Sequence, residues 1–204
     1  MNISKTVNKY TKAYKAVLTK AHFSDIDKNL DAYAKRLSKM YSSEDFKRHN
    51  IYPTTNTTYI YAIIAMCLEL KKLGLNDNQI IKAINKGFSR RRNFFKSLLR
   101  VIDKLPVCYR IAKKWNISDH KKRVRDGSLT YDYFNVTEGK IEYCVSRCAY
   151  VEMFEFYGIR RLCKIFCMTD TTSYNNLTKH IKFVRHSDLS TGKCCHDEVI
   201  KKKK

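Results

Sequence analysis

Apolar residues in the first half of the chain recur every three to four positions. Between residues 4 and 22, Val7, Tyr10, Tyr14, Val17 and Leu18 form such a stripe, which predicts an amphipathic helix with one face toward a core. Ser24-Asp25-Ile26-Asp27 has the hydroxyl-then-carboxylate spacing of a capping box and predicts a second helix reaching Met40. Tyr52-Pro53 interrupts the pattern, because the residue before a proline avoids helical geometry. Beyond it, Thr57 or Thr58 can cap an apolar helix running to Leu73, with Gly74 as its natural stop. Asn76 or Asp77 opens another helix to Lys86, a further one spans Ser89 to Asp103, and a short one covers Val107 to Trp115, whose indole is expected in the core.

The period changes after residue 125. Leu129 to Val136 is rich in Tyr, Phe, Thr and Val; Thr137-Glu138-Gly139 reads as a turn; Lys140 to Cys148 alternates. These segments predict a hairpin. Strict alternation would place Glu142, Cys144, Ser146 and Cys148 on one face and Ile141, Tyr143, Val145 and Arg147 on the other. Residues 149–157 and 159–169 read as two short helices broken at Gly158, and His180 to His186 with Lys193 to Ile200 as a second hairpin. The fold class is therefore α+β: a helical N-terminal half, residues 1–116, packed on a small antiparallel sheet with inserted short helices, residues 125–204, in one compact unit.

A chain of 204 residues can bury a sizeable core. No stretch approaches the ~18 apolar residues that a membrane span needs, and Tyr59 to Leu70 reads as a buried helix. The N-terminal Met-Asn-Ile-Ser-Lys-Thr lacks an apolar signal core, so a cytoplasmic location with no membrane partner is expected, with the eight cysteines as reduced thiols. The net charge of +22 raises the rival reading of a nucleic-acid binder. However, the lysines are spread from Lys5 to Lys204, as on a solvated surface. Only Ser89 to Lys96, with Arg90, Arg91 and Arg92 beside Phe94 and Phe95, looks like a local basic patch with aromatics. The favoured partner is a small molecule, and the sequence leaves the oligomeric state open.

Most of the cysteines gather in the C-terminal third. No Cys-x-x-Cys pair occurs there, so neither a zinc ribbon nor a thioredoxin-type motif is indicated. Cys163, Cys167 and Asp170 follow i, i+4, i+7 helical spacing; Cys148 lies four residues before Glu152 at a strand-to-helix junction; Cys195 and Asp197 share a strand face. Structural roles compete at each position. A free cysteine commonly packs as a small hydrophobe. Asp170 can cap a helix over residues 171–177, Arg147 can pair with Glu142 or Asp170, Glu152 can be an ordinary exposed helix residue, and His196 can lie on the surface.

Arg147-Cys148-Ala149-Tyr150-Val151-Glu152, the Gly158 turn, Leu162-Cys163-x-x-Phe166-Cys167-x-x-Asp170 and the closing Gly192-x-x-Cys195 resemble the L-2-amino-thiazoline-4-carboxylic acid hydrolase family over residues 125 to 200. Similar proteins tend to read Cys-Asp-Phe near the end where this chain has Cys195-His196-Asp197. The resemblance implies a hydrolase acting on a small cyclic carbon–nitrogen compound, a thiazoline-like amidine or related amino-acid derivative. It implies Cys148, Cys167, Asp170 and Cys195 as the catalytic set, and leaves Cys67, Cys108, Cys144, Cys163 and Cys194 as core or incidental. Asp170 suits a general base if burial near Phe166 raises its pKa. A thiolate suits a nucleophile if Arg147 lowers its pKa. Arg147 or Arg185 would receive the substrate carboxylate. No cofactor is implied; a metal held by Cys148, Cys167 and Cys195 is the alternative, as is a non-catalytic ligand- or metal-binding member of the same family. The expected geometry is one largely apolar pocket in which the four side chains lie within ~6 Å of a common point.

Overall fold

A computed structural model of the chain describes residues 1–202, with every side chain except those of residues 90, 91, 92 and 95. The basic patch expected at Arg90, Arg91 and Arg92 therefore lies outside the described residues. The fold is α+β, with helices and one four-stranded antiparallel sheet. Two compact units divide the chain: residues 1–91 with 153–165, and residues 92–152 with 166–204.

The first unit is helical. It contains α1 (Ile3–Lys20), α2 (Ile26–Tyr41), α3 (Glu44–His49), α4 (Thr57–Lys72) and α5 (Asp77–Gly87). The expected stripe of Val7, Tyr10, Tyr14, Val17 and Leu18 is the buried face of α1. The Ser24 capping box does not form: Asp25 is the N-cap of α2, in the left-handed region at φ 51°, with no side-chain cap bond. Asn56, one residue earlier than expected, caps α4 by accepting the Tyr59 N–H at 3.1 Å. From Ile60 to Cys67 this helix is buried on every side, as its unbroken apolar run requires. The Tyr14 and Tyr33 rings meet at a tilt of 33° with centroids 4.5 Å apart, and Tyr33 donates its hydroxyl to the Ala62 carbonyl. Among the described residues no helix is long and apolar enough to cross a membrane.

The second unit carries the sheet. After α6 (Ser89–Ile102), α7 (Cys108–Asp126) continues well past Trp115. The stop is Gly127, which takes the left-handed φ of 72° that a helix-ending glycine supplies at little cost. Trp115 is 51% exposed, contrary to the core position expected for it. The strands are β1 (Leu129–Val136), β2 (Lys140–Cys148), β3 (Ile181–Ser187) and β4 (Cys195–Lys201), in the order β1-β2-β4-β3. Between β2 and β3 the chain runs through α8 (Ala149–Phe156), a 3-10 turn (Arg160–Cys163) and α9 (Lys164–Tyr174), of which residues 153–165 belong to the first unit. Ile141, Val199 and Ile181 of the sheet pack with Leu99, Cys108, Tyr109 and Ala112 of α6 and α7, and with Tyr174 and Leu177, to form this unit's core.

A bulge alters the expected alternation. Thr130 pairs with Arg147 but Tyr131 pairs with Val145, so Ser146 has no partner across the ladder. One extra residue exchanges the faces of everything beyond it. Cys148 thus shares a face with Val145 and Tyr143, not with Cys144, and Arg147 moves to the Cys144 face. The paired residues of β4 extend the first face: Cys195 lies opposite Val145 and Asp197 opposite Tyr143.

Candidate active site

Two strands and one helix converge through a single guanidinium. Arg185 of β3 lies directly across the ladder from Asp197. Its Nε and Nη2 donate to the two Asp197 carboxylate oxygens, each at 2.7 Å. The same Nη2 reaches Asp170 Oδ2 at 3.2 Å, and Nη1 donates to the Cys167 carbonyl oxygen. Arg185 therefore ties α9, with Cys167 and Asp170, to the sheet face that holds Cys195 and Asp197. The Asp197 side chain is only 2% exposed, so this fork of charge-assisted bonds is what makes its burial tolerable.

Cys148 ends β2 immediately before α8, and backbone amides of Val151 and Tyr150 donate to its sulfur. Burial nevertheless dominates and pushes the thiol up to about 11, while the Arg123 guanidinium acts in the opposite sense. The Cys195 thiol is raised further still, again by burial first, although the Leu189 N–H donates to it at 3.2 Å. Cys167 and Cys148 both add to that rise, and Cys167 adds to the rise at Cys148. Three of the four catalytic residues expected from the sequence, Cys148 and Cys195 on the sheet and Cys167 on α9, thus sense one another electrostatically.

Asp170 is the fourth. It sits inside α9, not at a helix N-terminus, so capping does not explain it. Cys163 closes the preceding 3-10 turn, and the i, i+4, i+7 helical face expected for it with Cys167 and Asp170 is interrupted there. Burial raises the Asp170 pKa; Arg185 opposes the shift and Asp197 reinforces it. Its side chain is nonetheless 54% exposed.

Arg147 is placed elsewhere. It forms a bidentate pair with Glu152 at 2.6 and 2.7 Å and donates to the Gly127 carbonyl at 2.7 Å, on the sheet face opposite Cys148. The cation beside the Cys148 thiol is Arg123 of α7, which donates to Asp119 at 2.6 Å and lies over the Tyr150 ring, 5.8 Å from its centroid. Tyr131 stands among these groups: burial raises its pKa, Asp119, Cys148 and Asp170 add to the rise, and Arg123 opposes it. Sequence reasoning missed Arg123, Asp119 and Tyr131. The available signals were the i, i+4 spacing of Asp119 and Arg123 and the helix stop at Gly127.

Chemically, these residues offer a carboxyl whose pKa burial raises, the Cys148 and Cys195 thiols that burial holds in the protonated form, and two guanidinium groups. A family model described as L-2-amino-thiazoline-4-carboxylic acid hydrolase matches residues 61–197. No curated protein and no solved structure matches the chain.

Proposed function

Because the chain belongs to the L-2-amino-thiazoline-4-carboxylic acid hydrolase family, we propose that it hydrolyses a small cyclic amidine of the thiazoline type, with Asp170 as general base. The reacting centre of such a ring is the carbon flanked by nitrogen and sulfur. Water adds its oxygen to that carbon and gives its proton to Asp170. Collapse of the tetrahedral carbon breaks a ring bond, and the proton returns to the departing atom. The observation that carries this assignment is the Asp170 carboxyl, raised by burial yet open to solvent and held by Arg185 on the thiol-bearing face.

Water is favoured over sulfur as the nucleophile. A thiol with a pKa of about 11 is ionised in roughly one molecule in ten thousand at pH 7. Cys148, Cys167 and Cys195 then serve as the polarisable wall against which a sulfur-containing ring rests. Arg185, already bonded to Asp197, the Cys167 carbonyl and Asp170, positions the base. The substrate carboxylate falls to Arg123, in place of the Arg147 and Arg185 that the sequence nominated.

The test is consumption of L-2-amino-thiazoline-4-carboxylate and related cyclic amidines, followed by chromatography. Asp170→Asn should lower turnover by at least about 10²-fold, whereas Cys148→Ser should retain most of it. Undiminished turnover in Asp170→Asn, or no turnover of any such ring by the unaltered protein, would remove this reading.

A further inference from the structure

The other face of the same sheet carries a second constellation, built from residues that the Arg185 cluster does not use. Strand pairing fixes its membership. Glu142 lies opposite Glu198, and Cys144 opposite His196, so these side chains share the face away from Cys148 and Cys195. On β3 the register jumps from Arg185 opposite Asp197 to Ser187 opposite His196, which leaves His186 as an extra, unpaired residue at the bulge. Bulges of this kind redirect a side chain. Here the His186 ring lies over that of His196, with centroids 4.4 Å apart and planes 28° apart.

We propose that His186, His196 and Glu198 form a binding site for one divalent transition-metal ion of the zinc class. One donor atom from each of the three lies within 4.8 Å of the other two. In a tetrahedral zinc centre, with bonds near 2.1 Å, neighbouring donors stand about 3.4 Å apart. The trio must therefore contract by roughly an ångström, which is a matter of side-chain rotation on groups that solvent already reaches. His186 is 45% exposed and His196 30%. Two imidazoles and one carboxylate are a recognised donor set for zinc, with the fourth position left to water.

The surrounding groups fit a cation. The His186 Nε2 stands 3.6 Å from one oxygen of Glu198, and the His196 Nε2 stands 3.2 Å from one oxygen of Glu142. The remaining oxygens of these carboxylates take the Lys140 ammonium, at 3.1 Å from Glu198 and 2.7 Å from Glu142. Lys140 thus holds both carboxylates in place and also competes for their charge. Glu142 supplies either an orienting bond to His196 or the fourth ligand.

The experiment uses the full chain after chelator treatment, titrated calorimetrically with zinc and, in parallel, spectroscopically with cobalt(II). One equivalent should bind. The cobalt spectrum should show ligand-field bands without a sulfur-to-cobalt charge-transfer band. His186→Asn and His196→Asn should each weaken zinc binding by more than about tenfold. Lys140→Met should strengthen it, because a competing cation is gone. Cys148→Ser and Cys167→Ser should leave it unchanged, which keeps this site separate from the thiols on the opposite face. Absence of zinc binding, a sulfur band that disappears in the cysteine variants, or full affinity in His186→Asn would each overturn the proposal.

Discussion

Arg185 and Asp197 face each other across the β3–β4 ladder and share two hydrogen bonds of 2.7 Å, with the carboxylate almost entirely shielded from water. Removing Asp197 takes the two shortest carboxylate bonds from Arg185 and leaves it only Asp170 and the Cys167 carbonyl. Asp197→Ala should therefore lower the stability of the protein by about 3–5 kcal/mol, measured by urea unfolding. The double change Arg185→Met with Asp197→Leu should cost less than that single change, because the guanidinium and its most buried carboxylate leave together and the Asp170 carboxyl that loses a bond is still reached by solvent. A loss under about 1 kcal/mol for Asp197→Ala would mean that the pair behaves as an exposed surface bridge.

The state of the Cys148 thiol can be read from its alkylation rate. Burial favours the neutral form, so the reactive thiolate appears only as pH climbs toward about 11. Site-resolved mass spectrometry should show Cys148 modification still rising above pH 9. Arg123→Gln removes a cation that favours the thiolate, and the profile should shift to still higher pH. Half-maximal modification at or below pH 8.5, the free-cysteine value, would contradict the burial argument.

Gly87 tests the packing of α5 on α1. A methyl group there would overlap Val17 Cγ2 and approach the Val17 Cα to 3.1 Å. Helix propensity alone favours alanine over glycine by ~1 kcal/mol. The clash reverses the sign, and Gly87→Ala should destabilise by about 1–3 kcal/mol. Gly139→Ala, where nothing lies within 4 Å and φ is not positive, should be close to neutral. Thermal unfolding of the two variants, side by side, checks the contrast.

The sheet was legible wherever side-chain pattern alone decides structure. β1 and β2 have the limits that the alternation predicts, Leu129–Val136 and Lys140–Cys148. The faces were not fully legible. The pattern through Ser146 looks regular, and only pairing with β1 creates the bulge that exchanges Cys148 and Arg147. α7 was cut short because Ser118 to Asp126 is nearly all polar and offers no apolar stripe; its continuation rests on the Asp119–Arg123 pair and the Gly127 stop. For the same reason the cation beside Cys148 was expected at Arg147, adjacent in sequence, and proves to be Arg123 from a separate helix. The family motif located the thiols and Asp170. It marked Asp197 only as an acidic residue one position later than in similar proteins; its partnership with Arg185 is visible only once β3 and β4 are aligned.

The central claim is that Asp170, with a pKa raised by burial, is the base that activates water for ring opening. The most direct test is the pH dependence of kcat/KM for thiazoline turnover. On the acid side, activity should rise with pH as the carboxyl loses its proton, with a midpoint above the ~3.9 of an ordinary aspartate, because burial outweighs the Arg185 charge. Asp170→Asn should abolish that limb together with turnover. An acid limb that survives unchanged in Asp170→Asn, or activity that follows only thiol ionisation near pH 11, would contradict the account.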